Sequence, residues 1–359
     1  MSGPPFFEDL ALGQVERRAP AVTLTEGMAA VHQAIVGDRL ALALDRTLAR
    51  EVLGSATALA HPALVWDVAI GQSTLLTGRV IANLFYRGLV LGRSPVIGDT
   101  LATSTEVVAL RRTTPRAGRA PSGLAALRVL TVDQEGRSVL DFWRCAMLPL
   151  REDGSEGEDG GRSGGDARGK QGSFDAIPKH LDEDALSAAT ASWRLDAFAA
   201  RLDGGAGGTP GPLPAPGARW AVEGGDVVSA APELARLSLN VAAVHHDRHA
   251  HREGRRLVYG GHTIGLAAAQ ATRLLPRIAT IVGWHSCEHL APVHEGDTLY
   301  SELELERLQP LGEAGALAHL RSRVVAVGEG ASGEVWSEEK PGPDSGTPVL
   351  DWRFVAVLA

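Results

Sequence analysis

Cysteine, aromatic residues and basic charge are all scarce in this sequence of 359 residues. It contains 2 cysteines, Cys145 and Cys287, and only 5% of its residues are aromatic. Two cysteines cannot build a disulfide framework, so a reducing compartment fits the chain best. The formal net charge is −8. This argues against a nucleic-acid-binding protein, which usually carries a basic stripe, and against an anionic membrane surface as partner.

The sequence also lacks segments that would direct it into or across a membrane. No apolar run approaches the ~20 residues of a spanning helix. The first residues, MSGPPFFEDLALGQ, include acidic side chains and lack the basic start and apolar core of a signal peptide. We therefore expect a cytoplasmic protein with no membrane and no nucleic acid among its partners.

Length and composition predict a globular protein with about two domains. Hydrophobic residues make up 44% and charged residues 22% of the chain, which is typical of soluble proteins. Residues 152–172 are rich in Gly, Asp, Glu and Ser and cannot pack a core, which predicts a flexible linker. A Gly- and Pro-rich break at 203–217 predicts a loop. Between the two, residues 181–202 have the spacing of a helix.

The blocks on either side of the linker resemble each other. Three pairs of segments occur in the same order in both blocks: 94–110 with 291–308, 139–148 with 349–358, and 37–45 with 239–247. The period of ~150 residues is too long for a solenoid. The sequence therefore predicts a duplication, with a first copy at 1–151, the linker at 152–172 and a second copy at 173–359.

Each copy contains one candidate buried helix followed by strand-like runs. In the second copy, residues 260–275 begin with two glycines and are then almost all small or apolar, as in a helix buried on every side. The equivalent in the first copy is 64–76. Runs of Val, Ile, Leu, Thr and Trp then alternate between turn residues, which predicts antiparallel strands. One buried helix wrapped by a long antiparallel sheet is an α+β fold.

Four histidines fall within seven residues of the second copy: His245, His246, His249 and His251. Two of them have the His-x3-His spacing of helical zinc sites, but no Glu follows the first histidine. Nearby arginines raise the electrostatic cost of holding a dication. We therefore expect no metal and interpret His249 and His251 as solvated surface residues.

Asn240 and His245 are the strongest candidates for chemistry. Histidine is the usual general acid/base, and a polar side chain five residues earlier can help it to orient one water molecule. The free N–H groups at the start of the next helix, at Gly260, Gly261 and His262, could hold a thioester oxygen as it becomes an enolate. This combination suits addition of water to an α,β-unsaturated thioester. The alternative is two ordinary loop residues before a helix.

The segment NVAAVHHD, followed by YGGHTIG, resembles the hydratase motif of MaoC-like (R)-specific enoyl-CoA hydratases. That motif is Asp-x4-His ahead of a central helix in a hot-dog fold, and a duplicated chain of this length is similar to the double hot-dog members. Further matching segments occur in both copies: FEDLALGQ, ANLFYRG, GDTLATSTEV, VLDFWR and RRLVYGGH. The likeness covers nearly the whole chain except the linker.

The resemblance implies a double hot-dog that reversibly hydrates and dehydrates a CoA thioester. The members with matching segments act on the pair mesaconyl-CoA and β-methylmalyl-CoA, which we therefore expect here. The expected partners are the acyl-CoA substrate and a second copy of the chain in a homodimer. No Gly-rich nucleotide loop is evident, so we expect no cofactor, since CoA is part of the substrate.

The chain departs from the family motif at two places. Asn240 stands where the motif has Asp, and an amide cannot take a proton as a carboxylate does. The resemblance therefore implies that His245 is the acid/base and that Asn240 orients the water. In the first copy Asp38 holds the equivalent position, but Ala43 replaces the histidine. We expect one active site per chain, with the first copy as scaffold and part of the substrate tunnel.

Four further residues are candidates for substrate binding: Asp247, His285, Arg79 and Arg87. The arginines suit a phosphate or carboxylate, although surface positions explain them equally well. Asp247 recurs in the first copy as Asp45, which also fits a structural turn. His289, on or beside the same strand as His285, could likewise contact substrate, and we interpret His61 and Cys287 as core or loop residues.

Three alternative functions remain open at this point. A generic (R)-specific enoyl-CoA hydratase would share the chemistry but not the acyl group. A non-catalytic acyl-CoA-binding subunit would explain the loss of the usual Asp at Asn240. A thioesterase is possible because hot-dog folds also support thioester hydrolysis.

Overall fold

The computed structural model describes residues 3–114, 120–151, 172–179, 181, 183–202, 212–250, 254–312, 314–328 and 346–359. The predicted linker lies outside these ranges except for Gly172, and so do residues 203–211 of the predicted loop and His251.

Twelve strands in the described ranges are hydrogen-bonded into one antiparallel sheet. They are β1 Val15–Glu16, β2 Val22–Thr23, β3 Ala82–Leu91, β4 Thr100–Arg112, β5 Ser122–Val132, β6 Ser138–Pro149, β7 Arg219–Ala221, β8 Asp226–Val227, β9 Ile278–His289, β10 Thr298–Leu311, β11 Gly315–Val327 and β12 Thr347–Leu358. The order β4-β5-β6-β3 on one side is repeated in reverse as β9-β12-β11-β10 on the other, and β3 pairs with β9 at the centre. The predicted α+β fold with antiparallel strands is confirmed.

Eight α-helices accompany the sheet in the described ranges. They are α1 Glu26–Val36, α2 Ala41–Leu44, α3 Arg46–Leu53, α4 Pro62–Gln72, α5 Glu183–Leu186, α6 Leu195–Leu202, α7 Ala231–Leu237 and α8 Gly260–Leu274. The helix predicted for 260–275 is α8. The helix predicted for 64–76 is α4, which continues as a 3-10 turn at Ser73–Leu76. No helix in the described part of the chain is both long and apolar enough to cross a membrane.

The prediction of one helix over 181–202 is wrong. The segment contains two short helices, α5 and α6, with a 3-10 turn at Ala188–Thr190 between them. Immediately before α6 the chain contacts the first copy, where the backbone N–H of Arg194 donates to the carbonyl of Val52 at 2.9 Å. This tertiary contact outweighs the helical preference of the sequence.

The two central helices are buried and are tied to the sheet in the same way. Every residue of α4 is buried, and α8 is buried over nearly its whole length. The side-chain amide of Gln72 donates to the carbonyl of Leu101, and that of Gln270 donates to the carbonyl of Leu299. Each acceptor is the second residue of a long strand, Leu101 in β4 and Leu299 in β10. The repeated bond fixes each helix across its own half of the sheet.

The loops aligned at 37–45 and 239–247 have the same local conformation. Gly37 and Leu239 both have a positive φ, of 69° and 60°. In each loop the next side chain accepts from a backbone N–H two residues later: Asp38 from Leu40 at 2.8 Å and Asn240 from Ala242 at 2.9 Å. Glycine suits the left-handed region, whereas leucine there costs about 1–2 kcal/mol. The second copy therefore stores backbone strain immediately before Asn240.

Aromatic side chains from both copies meet at the centre of the sheet. Trp66 of α4 packs edge-on against Trp284 of β9 with ring centroids 4.8 Å apart, and Trp284 packs against Trp352 of β12 at 5.6 Å. All three rings are fully buried. Edge-to-face packing of this kind stabilises the fold beyond the burial of apolar area. Cys145 of β6 and Cys287 of β9 are free and buried, as expected for Cys287.

We predict that Gly71→Ala destabilises the protein through the contact between α4 and the end of α7. A Cβ at Gly71 would lie 1.7 Å from the carbonyl oxygen of Ser238, so one of the two elements must move. Overpacking of this kind costs about 1–3 kcal/mol or more. A Cβ at Gly224 would have no atom within 4 Å, so Gly224→Ala is the matched control. Thermal unfolding that gives both variants the wild-type midpoint would contradict this packing.

Candidate active site

A cavity of about 330 Å³ lies where the two copies meet. The first copy contributes side chains from α4, β3 and β6, and the second contributes its loop, the start of α8 and the end of β9. The polar residues in its wall are Thr74, Asn83, Tyr86, Arg144, Asn240, His245, Tyr259, Thr263 and His289. Ile81 and Leu290 also line it and are 40% and 56% exposed, so the cavity opens to solvent on an apolar rim.

His245 ends a 3-10 turn, Ala243–His245, and lies in the cavity wall. Its Nδ1 is 3.0 Å from the carbonyl oxygen of Leu257. A carbonyl only accepts hydrogen bonds, so Nδ1 carries the proton and Nε2 is left with a lone pair. Burial lowers the pKa of His245 to about 4, although the bond to Leu257 acts in the opposite direction. The ring is therefore neutral at pH 7 and can accept a proton at Nε2.

Asn240 lies in the same wall with its amide orientation fixed by the backbone. Its Oδ1 accepts from the N–H of Ala242, so Nδ2 is the end that remains to donate. The loop is anchored on both sides: His246 donates through Nε2 to the Asn240 carbonyl at 2.6 Å, and the N–H of Val241 donates to Oγ1 of Thr74 at 2.9 Å. Asn240 can therefore act on a ligand as a neutral hydrogen-bond donor.

The start of α8 supplies fewer cavity groups than the sequence predicted. Gly260 lines the cavity, and its N–H is at the first helical position, where it has no intrahelical acceptor. A Cβ on Gly260 would lie 2.7 Å from Nε2 of His289, so glycine lets these two groups approach. Gly261 is outside the cavity wall and faces the buried carboxylate of Asp67.

The expected role of His262 in an oxyanion site is wrong. Its backbone N–H already donates to the carbonyl of Tyr259 at 2.9 Å. Its side chain is fully buried outside the cavity wall, and burial lowers the pKa of the ring to about 4. Of the three predicted groups, only Gly260 is placed to meet a ligand in this cavity.

Both arginines predicted to bind substrate lie outside the cavity wall. Arg79 is exposed, donates through Nε to the carbonyl of Pro4 at 2.7 Å and covers the ring of Phe6. Arg87 lies on the outer face of β3, where it pairs with Glu288 and covers the ring of Phe85. Each has a structural partner of its own, so the prediction of a cavity contact is not supported for either.

Asp247 also serves the local structure rather than the cavity. Its carboxylate is exposed and accepts from the N–H of His249 at 2.8 Å, which closes the turn after His245. The alternative interpretation as a turn carboxylate therefore describes this residue. His249 is exposed, as predicted.

A β-bulge decides which histidine of β9 faces the cavity. Positions 285 and 289 would share a face in a regular strand, but the pairing with β12 skips one residue between Trp284 and Ser286. His289 consequently lies in the cavity wall and His285 on the opposite side. The Nε2 of His289 has no hydrogen-bond partner in the described part of the chain, and burial lowers the pKa of this ring to about 4.

On that opposite side, His285 belongs to a small polar cluster. Its Nε2 is 2.8 Å from Nδ1 of His319. The atoms of Glu183, His285 and His319 that could ligate a metal ion lie within 4.8 Å of one another. The guanidinium of Arg307 donates to both Glu183 and His319, which places a positive charge among them. A cation at this position opposes the binding of a metal ion.

The sequence analysis missed Arg144, which reaches the cavity from β6. It is 3% exposed and donates to Oγ of Ser73 and Oγ1 of Thr77, both at 2.8 Å. The sequence contained a signal for it: when 139–148 is aligned on 349–358, Arg144 corresponds to Phe354. A charge at a position that is apolar in the other copy could have been recognised as a functional candidate.

The equivalent place in the first copy holds a closed hydrogen-bonded pair. Asp38 is buried, and its Oδ2 lies 2.9 Å from Nε2 of His61. Burial would raise the pKa of Asp38, but its electrostatic interaction and hydrogen bond with His61, together with the hydrogen bond from the N–H of Leu40, outweigh this effect and keep the pKa below its ordinary value. His61 also caps α4 by accepting from the N–H of Ala63. With Ala43 in place of the histidine, this half has a structural pair where the second copy has Asn240 and His245.

No protein-family model matches the chain. Among solved structures, a protein from Mycobacterium tuberculosis with a double hot-dog fold is 51% identical, with a TM-score of 0.81 and 99% of each chain covered. A MaoC domain protein dehydratase from Chloroflexus aurantiacus shares the fold at 24% identity, with a TM-score of 0.73 over 99% of this chain and 97% of that chain.

Two curated relatives are similar over both copies. The chain is 26% identical to the β-methylmalyl-CoA dehydratase of Chloroflexus aurantiacus, covering 98% of this chain and 96% of the relative. It is 28% identical to the mesaconyl-CoA hydratase of Cereibacter sphaeroides, covering 90% of each. The double hot-dog fold expected from the hydratase motif is confirmed, and the chain belongs to the double hot-dog family of the 51% identical mycobacterial protein.

Proposed function

We propose that the protein catalyses the reversible hydration of an α,β-unsaturated CoA thioester. The observation that carries the proposal is the 3.0 Å hydrogen bond between Nδ1 of His245 and the Leu257 carbonyl, which leaves the Nε2 lone pair available in a cavity built from both copies. The names of the two curated relatives, a dehydratase and a hydratase acting on CoA esters, support the same reaction class.

In this mechanism one water molecule is held between His245 and Asn240. Nε2 of His245 accepts a proton from the water, and Nδ2 of Asn240 donates to the water oxygen. As that oxygen bonds to Cβ, the electron pair of the double bond moves through Cα to the thioester oxygen, forming an enolate. The N–H of Gly260, at the positive end of α8, stabilises that oxygen. The imidazolium then returns its proton to Cα, which completes addition of water and regenerates the neutral ring.

The environment of His245 suits both halves of this cycle. Burial keeps the resting ring neutral, so the base is ready at neutral pH. The Leu257 carbonyl accepts from Nδ1 and becomes a better partner once the ring is charged, which limits the cost of the imidazolium. The reaction changes no oxidation state overall and uses only water and the thioester, so we propose that no cofactor is needed.

The substrate pair that we propose is mesaconyl-CoA and β-methylmalyl-CoA. The two curated relatives carry these names, and a cavity of about 330 Å³ suits a short branched acyl group. Purified protein should be assayed with mesaconyl-CoA and crotonyl-CoA while free CoA is monitored. We expect hydration of mesaconyl-CoA in preference to crotonyl-CoA. A preference for crotonyl-CoA would favour a generic hydratase, release of CoA a thioesterase, and binding without turnover a non-catalytic subunit.

We predict that His245→Ala lowers hydration by about 10²–10⁴-fold, which is the usual contribution of a general acid/base. His249→Ala is the matched control, because His249 lies on the next turn but is exposed. Initial rates under saturating thioester should fall only in the first variant. A folded His245→Ala enzyme that keeps more than about a tenth of its activity would rule out the mechanism.

The two equivalent side chains, Asn240 and Asp38, should respond differently to substitution. Asn240→Ala removes the water-orienting donor and the turn to Ala242, so we expect turnover to fall at least about tenfold. Asp38→Asn disrupts the buried pair with His61, so we expect a loss of about 1–3 kcal/mol of stability with turnover per folded molecule unchanged. Rates normalised to the folded fraction measure both effects, and equal losses of turnover would refute a single site in the second copy.

The low pKa of His245 predicts that the rate of hydration falls at a lower pH than an ordinary catalytic histidine would give. The neutral ring is the active base, and it is lost only as pH falls through its folded-state pKa of about 4. We therefore expect kcat/KM to change little between about pH 5.5 and 7.5, where an ordinary histidine would titrate. Circular dichroism at each pH controls for acid unfolding. An acid limb centred near 6.5 in folded protein would show that His245 is not the buried base.

A further inference from the structure

The guanidinium of Arg144 is a buried positive charge for which the described protein supplies no carboxylate partner. It is 3% exposed and forms no ion pair with any described acidic residue. Its two observed bonds go to neutral hydroxyls, of Ser73 and Thr77, and its Nε has no hydrogen-bond partner among the described residues. Burying an unpaired charge is strongly unfavourable, so such a group is typical of a site that binds a ligand of opposite charge.

The fold itself does not require an arginine at this place. The position equivalent to Arg144 in the second copy is Phe354, which is fully buried. Both positions face an aromatic residue of the neighbouring strand, since Arg144 lies opposite Tyr86 and Phe354 lies opposite Trp284. An apolar side chain therefore fits this site of the sheet, and the charge has to be explained by what the cavity binds.

We infer that Arg144 binds a free carboxylate on the acyl group, so that the site selects thioesters of dicarboxylic acids. The inference rests on the proposed function and assigns to it a specificity residue. Arg144 lines the same cavity as His245 and Asn240. A guanidinium has five N–H donors in a planar fork, two of which are already directed to hydroxyls, and the remaining ones suit the two oxygens of a carboxylate.

The chemistry of mesaconyl-CoA requires its carboxylate receptor at this location. In the thioester that hydrates to β-methylmalyl-CoA, the free carboxylate is bonded to Cβ, the carbon that water attacks. Its receptor must therefore lie in the same cavity as the groups that hold the water, and Arg144 lines that cavity together with His245 and Asn240. The same geometry explains the amide at Asn240, because an aspartate there would repel the carboxylate of the substrate.

The test compares two substrates that differ only at this group. In tiglyl-CoA a methyl replaces the carboxylate of mesaconyl-CoA, with the same double-bond geometry. We expect Arg144→Met to lower kcat/KM for mesaconyl-CoA by about 100-fold or more while changing that for tiglyl-CoA less than about threefold. Arg144→Lys keeps the charge but loses the fork, so its loss should be intermediate. Arg128→Met, which removes a half-exposed arginine on the neighbouring strand, is the matched control.

Two outcomes of this comparison overturn the inference. Equal losses for both thioesters would show that Arg144 only maintains the structure of the site, and an unchanged rate with mesaconyl-CoA would show that it does not contact the carboxylate. Thermal unfolding separates these results from misfolding. Because the variant removes a buried unpaired charge, we expect Arg144→Met to unfold at or above the wild-type temperature.

Binding measurements test Arg144 independently of catalysis. Methylsuccinyl-CoA and 2-methylbutyryl-CoA are saturated, so neither can be hydrated, and they differ in the same carboxylate. Calorimetry should show that the wild type prefers methylsuccinyl-CoA by at least about tenfold and that Arg144→Met abolishes the preference. If the wild type hydrates neither unsaturated substrate but keeps this preference, the proposed function fails and the assignment of Arg144 stands. A wild type without the preference would overturn the assignment itself.

Discussion

The placement of His245 depends on one short loop of the second copy being held against helix α4 of the first. The chain passes Gly71 of α4 so closely that a Cβ there would strike Ser238, and the next residues bond to Thr74. With the chain held at these two points, the turn at Asn240 places the residues that follow in the cavity wall. The active site proposed here is therefore a product of both copies, because residues of both contact this loop.

The two copies have kept the same framework and diverged in its polar contents. Both retain the glutamine that ties the central helix to the sheet and the turn before the helix. In the first copy that turn ends in a closed pair between Asp38 and His61, whereas in the second it leaves Asn240 facing a cavity. On the last strand of each copy the first copy carries the functional candidate instead. Arg144 of β6 stands where β12 of the second copy has the apolar residue Phe354. Each copy has thus specialised by supplying groups that the other lacks.

Much of the fold was predictable because it follows from local patterns that act within each copy. The buried helices and alternating strands need only hydrophobic periodicity, and the aligned loops share a turn that depends on one side chain and its backbone neighbour. The placement of Asn240 and His245 in one cavity wall agrees with the motif that singled them out, while their catalytic roles remain proposals. The helix predicted over 181–202 failed because a 3-10 turn and contacts with the first copy, among them the hydrogen bond from Arg194 to Val52, interrupt it.

The direction in which each candidate side chain points could not be predicted from the sequence. A bulge beside Trp284 turns His289 toward the cavity and His285 away, and nothing in the spacing of the two histidines reveals it. Arg79 and Arg87 were chosen for their charge, but each has partners on the outer surface. Arg144 could have been found, because alignment of the two copies places it opposite a phenylalanine, and only burial shows that its charge is otherwise unmatched.

The central claim is that this composite cavity adds water to a CoA thioester without cleaving it. The most direct measurement is mass spectrometry of the products formed from mesaconyl-CoA in water enriched with oxygen-18. The account predicts intact β-methylmalyl-CoA that carries the heavy oxygen on its new hydroxyl group, with no free CoA. Heavy oxygen in a released carboxylic acid, together with free CoA, would contradict it and identify hydrolysis as the reaction.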